Sequence, residues 1–163
     1  MTYNRLFCYR RFTIYDEDGQ EIIRMVATFV LMDRDSRKVH PVEPEIVAPY
    51  QSEFSKKLLR GPKYAELEEA ISKDYHVRFY DLDMNGHVNN SKYLDWIFEV
   101  MGADFLTNHI PKKINLKYVK EVRPGGMITS SYELNQLESN HQVTSDGDIN
   151  AQAKIIWQEI NTD

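Results

Sequence analysis

Two segments of this chain follow one pattern. "IYDEDGQEIIRMVATFVLM" and "VTSDGDINAQAKIIWQEI" both set Asp-Gly before a long alternating strand that ends apolar. An internal echo of this kind points to two copies of one supersecondary unit, which narrows the folds open to the chain. The second copy reads as complete: a strand, a helix, then three strands. The first begins only at its late strands. Its opening strand and helix are expected to be missing, as if the N-terminus had been cut away.

Local signals fill in this outline. "FCYRRFTIY" is rich in aromatic and β-branched residues, "DEDG" is a turn, and "QEIIRMVATFVLMD" reads as a long second strand. "DRDSRK" is another turn, and the prolines of "VHPVEPEIVAPY" exclude a regular central strand. Residues 51–72 form a polar linker around Gly61-Pro62, in which "KYAELEEAI" reads as a short helix. "KDYHVRFYDLD" then resembles a strand with Tyr75, Val77 and Phe79 on one face. From Asn90 to about Phe105 the residues Tyr93, Leu94, Trp96, Ile97, Val100 and Met101 recur at helical spacing. Asn89 or Asn90 can cap the start, and Gly102 weakens the end. The last strands are "KINLKYVKEV", "MITSSYELNQLE" and "INAQAKIIWQEI", separated by "RPGG" and "SDGD". The expected division is 1–50, a linker at 51–72, and a complete unit at 73–163.

Composition removes several function classes. At 163 residues the chain can bury one substantial core, or two small ones packed together. No run approaches the ~18 apolar residues of a membrane span, and the N-terminus lacks the apolar stretch of a signal peptide. One cysteine, Cys8, permits neither an internal disulfide nor a thiolate cluster. A net charge of −5 argues against nonspecific nucleic-acid binding. A cytoplasmic protein acting on neither nucleic acid nor membrane is the economical reading.

The most informative stretch is "YDLDMNGHVNNSKYLDW", residues 80–96. Asp81, Asp83, Asn85 and Gly86 sit where a calcium loop keeps its first ligands and its turn glycine. Position 12 of such a loop must be a bidentate carboxylate, and here it is Lys92, a cation. The segment before the loop is strand-like rather than helical, and no second calcium loop appears in the sequence. Zinc fares no better: Gly86 interrupts the spacing between Asp83 and His87, and no HExxH or Cys/His pairing exists. No metal is expected. What remains is a polar cluster on a loop that runs into a helix. The unpaired N–H groups of a helix start, here at Val88, Asn89 and Asn90, suit a carbonyl becoming an oxyanion. In an extended loop Asp83, Asn85 and His87 would share one face. For each residue alone an ordinary turn former is the favoured explanation, and for the whole run it is less persuasive.

"RFYDLDMNGHVNNSKYLDWIFE", followed by "INLKYVKEV", closely resembles the second half of acyl-ACP thioesterases, enzymes of fatty acid synthesis in plants and bacteria. "RRFTIYDEDGQEIIRMVATFVLMDRDSRKVHPV" is similar to the late strands of that family's first repeat, so the resemblance covers essentially the whole chain. It implies an α+β hotdog fold, an antiparallel sheet wrapped around a central helix. One hotdog would be complete and accompanied by the late strands of an incomplete first one. It implies hydrolysis of fatty acyl-acyl carrier protein thioesters, with Asp83, Asn85, His87 and Glu121 as catalytic residues and no metal or cofactor. Many members carry a cysteine directly after the glutamate. Val122 stands there in this chain, so a thiolate nucleophile at that position is excluded.

The same resemblance implies an acidic carrier protein as partner. Two basic stretches, Lys112 to Arg123 and Lys56 to Lys63, could receive it, although solvated or edge-strand lysines explain either run alone. Homodimerisation is a further expectation, because a sheet face without its helix needs cover. The alternatives are a catalytically impaired hotdog fragment that binds acyl groups or a partner chain, and an acyl-CoA thioesterase.

Overall fold

The computed structural model describes residues 1–36 and 38–160, so the turn at Asp33 to Lys38 and the C-terminal end of the 73–163 unit lie partly outside the described residues. The chain divides into two compact units, Met1–Arg60 and Gly61–Asp163.

The first unit is built on a hairpin. β2 (Cys8–Tyr15) and β3 (Glu21–Phe29) pair antiparallel, with Phe12 opposite Met25 and Ile14 opposite Ile23. Asp16 closes the turn, its Oδ1 accepting from the N–H groups of Asp18 and Gln20. Two short strands, β1 (Thr2–Tyr3) and β6 (Glu53–Phe54), extend the sheet in the order β3-β2-β1-β6. β6 lies in the segment expected to be linker. The predicted long second strand breaks at Val30, and its end becomes β4 (Leu31–Met32), paired with β5 (Val39–His40). The proline-rich run folds as α1 (Pro44–Val47) and a 3-10 turn at Ala48–Tyr50. A small core gathers Cys8, Val42 and Val47 with Tyr3 and Leu31. Phe12, Ile14, Ile23 and Met25 share one face of the hairpin and remain exposed.

The second unit is a five-stranded antiparallel sheet around one helix. Its strands are β7 (Ile71–His76), β8 (His109–Tyr118), β9 (Met127–Asn135), β10 (Glu138–Ser145) and β11 (Asp148–Glu159), in the order β7-β9-β10-β11-β8. The central helix, α2 (Asn90–Glu99), buries Tyr93, Trp96 and Ile97, as its apolar spacing predicts. These side chains meet Ile128, Val143, Ala151, Ala153, Ile155 and Trp157 from the sheet. Full burial of side chains such as Ile97 or Ile155 contributes about 1.5–3 kcal/mol each. A sheet wrapped around a helix in this way is the hotdog arrangement.

Several expectations needed correction. The helix predicted to reach Phe105 is interrupted at Gly102, whose φ of +84° suits only glycine, and resumes as α3 (Ala103–Asn108). "KYAELEEAI" forms no helix; its residues are irregular until β7 begins at Ile71. Phe79 does not share the face of Tyr75 and Val77. β7 ends at His76, and a 3-10 turn at Phe79–Asp81 leaves Phe79 80% exposed. The last part of the chain holds four strands rather than three. "MITSSYELNQLE" spans a tight turn at Gln136 and Leu137, and the polar run after it is β10. That turn has no glycine: Gln136 itself takes a φ of +54°, so its sequence carries no turn signal. The Asp146-Gly147 turn, with φ of +53° and +80°, is the type expected from its letters.

Candidate active site

The loop between β7 and α2 is shaped by two aspartates with different tasks. Asp81 is fully buried. Its carboxylate accepts from the Arg78 backbone N–H at 2.8 Å and from the Arg78 guanidinium at 3.1 and 3.3 Å. Those bonds hold its pKa below the ordinary carboxylate value despite burial, which by itself acts the other way. Asp81 is therefore committed to Arg78 inside the fold, and its carboxylate is not a spare metal ligand. Asp83 Oδ1 accepts from the N–H of Asn85 at 2.8 Å and of His87 at 3.2 Å, and these bonds lower its pKa too.

The loop is not extended. Leu82 and Val88 form an antiparallel bridge, flanked by Asp83 N–H to His87 O at 2.7 Å and Asn89 N–H to Asp81 O at 2.8 Å. Asp83 and His87 thus face each other across a narrow hairpin with Asn85 and Gly86 at its tip, where Gly86 takes a φ of +76°. The expectation of three side chains alternating along one face is replaced by this geometry. A carboxylate with two adjacent N–H groups to satisfy favours a closed turn.

The helix start is also more committed than its letters suggest. Asn89 caps α2, its side chain accepting from the Ser91 N–H at 3.0 Å. Because the Asn89 N–H is given to Asp81, it is withdrawn from the three N–H groups expected to face an oxyanion, leaving those of Val88 and Asn90.

Glu121 lies beyond the end of β8, in an irregular segment that leads to the Pro124-Gly125 turn. The fold brings its Oε1 to 3.8 Å from His87 Nδ1, with the two side chains 55% and 45% exposed. Lys120 pairs with Asp148. Val122 is buried, and its N–H is donated to the Tyr93 hydroxyl at 3.2 Å. Asn85 is exposed at the loop tip, and Cys8 is buried in the other unit. Among the described residues, no group of three or more His, Cys, Asp or Glu side chains is arranged to hold a metal ion. A cleft of about 490 Å³ runs between β7 and α2, lined by Asp74, Arg78, Lys92, Asp95 and Glu99 among others, and none of the four candidate residues lines it.

The remaining histidines are apart from this site. His109 stacks on Phe105 with ring centroids 4.0 Å apart, and His40 and His76 are exposed. His141 is buried on β10, with Nε2 2.7 Å from Ser139 Oγ. Sequence reasoning also passed over Asn150, a buried amide at the start of β11. It sits beside Ala151, which is buried as well, so the strand's alternation gave no sign of it.

Fold and site together define a hotdog-fold protein with a carboxylate–imidazole pair beside the start of its central helix. The model of the acyl-ACP thioesterase C-terminal domain matches residues 64–159, and that of the N-terminal domain matches residues 1–50. The chain belongs to the acyl-ACP thioesterase family.

Its relatives include the oleoyl-acyl carrier protein thioesterase 2, chloroplastic, of Arabidopsis thaliana. That protein is 28% identical over 141 residues, which are 78% of this chain and 37% of the relative. A palmitoyl-acyl carrier protein thioesterase, chloroplastic, of Gossypium hirsutum is 25% identical over 146 residues, 83% of this chain and 35% of the relative. The chain thus spans little more than a third of the length of these curated relatives. Among solved structures, a Lactobacillus plantarum protein provisionally designated an oleoyl thioesterase superposes with a TM-score of 0.91 at 34% identity. The match covers 98% of this chain and 66% of that one. The 12:0-ACP thioesterase of Umbellularia californica shares the fold, with a TM-score of 0.83 at 22% identity over 96% of this chain and 64% of that one. No described helix is long and apolar enough to cross a membrane.

Proposed function

We propose that this chain hydrolyses fatty acyl-acyl carrier protein thioesters, releasing free fatty acid and the carrier's phosphopantetheine thiol. The observation that carries the reading is the approach of His87 to Glu121, at positions that match the family's motif. Glu121 and Asn85 position a water, and Glu121 takes its proton as the water oxygen bonds to the thioester carbonyl carbon. The carbonyl oxygen becomes an oxyanion, stabilised by His87 and by the N–H groups of Val88 and Asn90. When the C–S bond breaks, the proton that Glu121 took from the water passes through His87 to the departing thiolate, which leaves both groups as they began. Asp83 acts through the loop, since its carboxylate accepts from the backbone N–H groups of Asn85 at the tip and of His87. Every group invoked is a side chain or backbone N–H of this chain, and the reaction calls for no metal or cofactor.

Residues 1–50 are proposed as the late strands of the first hotdog repeat and 73–163 as the second. The separate matches of the two family domains support that division. The carrier is proposed to dock through the basic stretches Lys112 to Arg123 and Lys56 to Lys63. Self-association stays part of the proposal, supported by the apolar side chains that β2 and β3 leave exposed.

The test is fatty acid release from lauroyl-, palmitoyl- and oleoyl-ACP, followed by mass. Glu121→Gln keeps the shape of the side chain and removes the base, so turnover is expected to fall by at least about 100-fold. Retained turnover in a folded Glu121→Gln protein overturns the assignment. Faster release from the corresponding acyl-CoA would move the substrate class from carrier to coenzyme.

A further inference from the structure

Glu121 stands in a segment without regular secondary structure, yet its backbone is gripped from two directions. Asn150, 1% exposed at the start of β11, makes most of the grip. Its carbonyl accepts from the N–H of Val119 at 2.8 Å and of Lys120 at 3.2 Å. Its side-chain Nδ2 donates to the carbonyls of Lys120 at 3.3 Å and Glu121 at 3.4 Å. The two carbonyls can only accept, which fixes Nδ2 as the end of the amide that faces the Glu121 segment, and the Ser145 hydroxyl donates to the other end, Oδ1, at 2.9 Å. From the other side, the buried Tyr93 hydroxyl of α2 accepts the N–H of Val122. The peptides before and after the Glu121 side chain are thus tied to β11 and to the helix whose leading loop carries His87.

We propose that Asn150 is a positioning residue for Glu121: it sets the backbone so that the carboxylate meets His87. This rests on the catalytic reading given above. The geometry explains why the position carries an amide. Two successive carbonyls need a donor, and the Ser145 hydroxyl needs an acceptor on the same side chain. Aspartate offers no donor, alanine offers neither group, and serine is too short to span both. Asn150 touches no reacting atom in this scheme. Its effect passes through the placement of one carboxylate, and a displacement on the order of 1 Å at such a group costs about 100-fold in rate.

The experiment uses the full chain, in wild-type form and as Asn150→Ala, Ser145→Ala and Glu121→Gln. Two readouts are taken: hydrolysis of lauroyl-, palmitoyl- and oleoyl-ACP, and the His87 ring resonances by NMR. Asn150→Ala is expected to lower kcat about 10- to 100-fold with KM within about twofold. Its His87 resonances should move toward their positions in Glu121→Gln, while the Trp157 indole resonance stays in place. Ser145→Ala removes only the hydroxyl that anchors the far end of the amide, and should shift the His87 resonances the same way by a smaller amount. It keeps the test decisive should Asn150→Ala fail to fold.

If wild type releases no fatty acid but the His87 resonances move as described, the positioning role stands and the hydrolase reading falls. If the His87 resonances are unchanged in whichever of the two variants is folded, the positioning role is overturned, whatever the activity.

Discussion

His141 makes the stability of the second unit depend on pH in a way that can be worked out beforehand. Its side chain is 2% exposed. Nε2 bonds to Ser139 Oγ, which also accepts from Trp157 Nε1 at 2.7 Å, and Nδ1 has no hydrogen-bond partner among the described residues. A second ring proton would place a buried charge with no carboxylate to meet it. Burial accordingly pushes the pKa from its ordinary 6.5 down to about 4. The unfolded chain therefore binds a proton below pH 6.5 that the folded chain refuses, so stability is full above 6.5 and declines as the pH falls from there toward 4. Linkage over that interval makes the loss between pH 7 and pH 5 about 2 kcal/mol from this residue alone. The lowered carboxylates Asp81 and Asp83 lose their contributions only at more acid pH, outside the window.

The assay is urea unfolding followed by tryptophan fluorescence. Both tryptophans, Trp96 and Trp157, belong to the second unit, so the signal reports the region that holds His141. Wild type should lose about 2 kcal/mol more than His141→Gln between pH 7 and pH 5, even if the variant starts from a lower stability. Equal losses in the two proteins would refute the reasoning. So would an NMR titration of His141 with its midpoint near 6.5.

Four further substitutions, at three positions, test the elements around the site. Gly102→Ala meets no atom within 4 Å of its new Cβ, so its cost is the strain of φ +84° alone, about 1–3 kcal/mol. Gly126→Ala, at ordinary φ, should stay within about 0.5 kcal/mol, and equal melting temperatures for the two would contradict this. Asp83→Ala removes the acceptor that closes the loop and should lower fatty acid release about 10- to 100-fold. Asp83→Asn, which keeps Oδ1, should retain most of the activity. An asparagine variant as impaired as the alanine one would show that the charge of Asp83, and not the hydrogen-bonded turn, is what matters.

What could be read without coordinates was whatever depends on spacing along the chain. The apolar period of Tyr93, Trp96, Ile97 and Val100 marks the central helix because residues three and four apart share a helical face. Asp146-Gly147 marks its hairpin because two successive positive φ angles favour those residues. The run from Asp81 to Tyr93 carried the family resemblance, and with it the fold. Against this, the start of β10 leaves no mark because Gln136 makes a left-handed turn that its letter does not advertise, and the helical spacing runs on past Gly102, which reads as a weak point rather than a stop.

Tertiary structure decided the rest, since it joins residues that are far apart in the chain. Only the fold shows that Asp81 is buried against Arg78, that Asp83 is bonded to its own loop, and that the Asn89 N–H is already taken. Only the sheet order brings the end of β8 beside the α2 loop, so that Glu121 meets His87 across 34 positions of sequence. Asn150 illustrates the limit most clearly. A buried amide joined to two carbonyls some 29 and 30 residues away leaves no periodic trace, because its partners are chosen by strand register and not by distance along the chain.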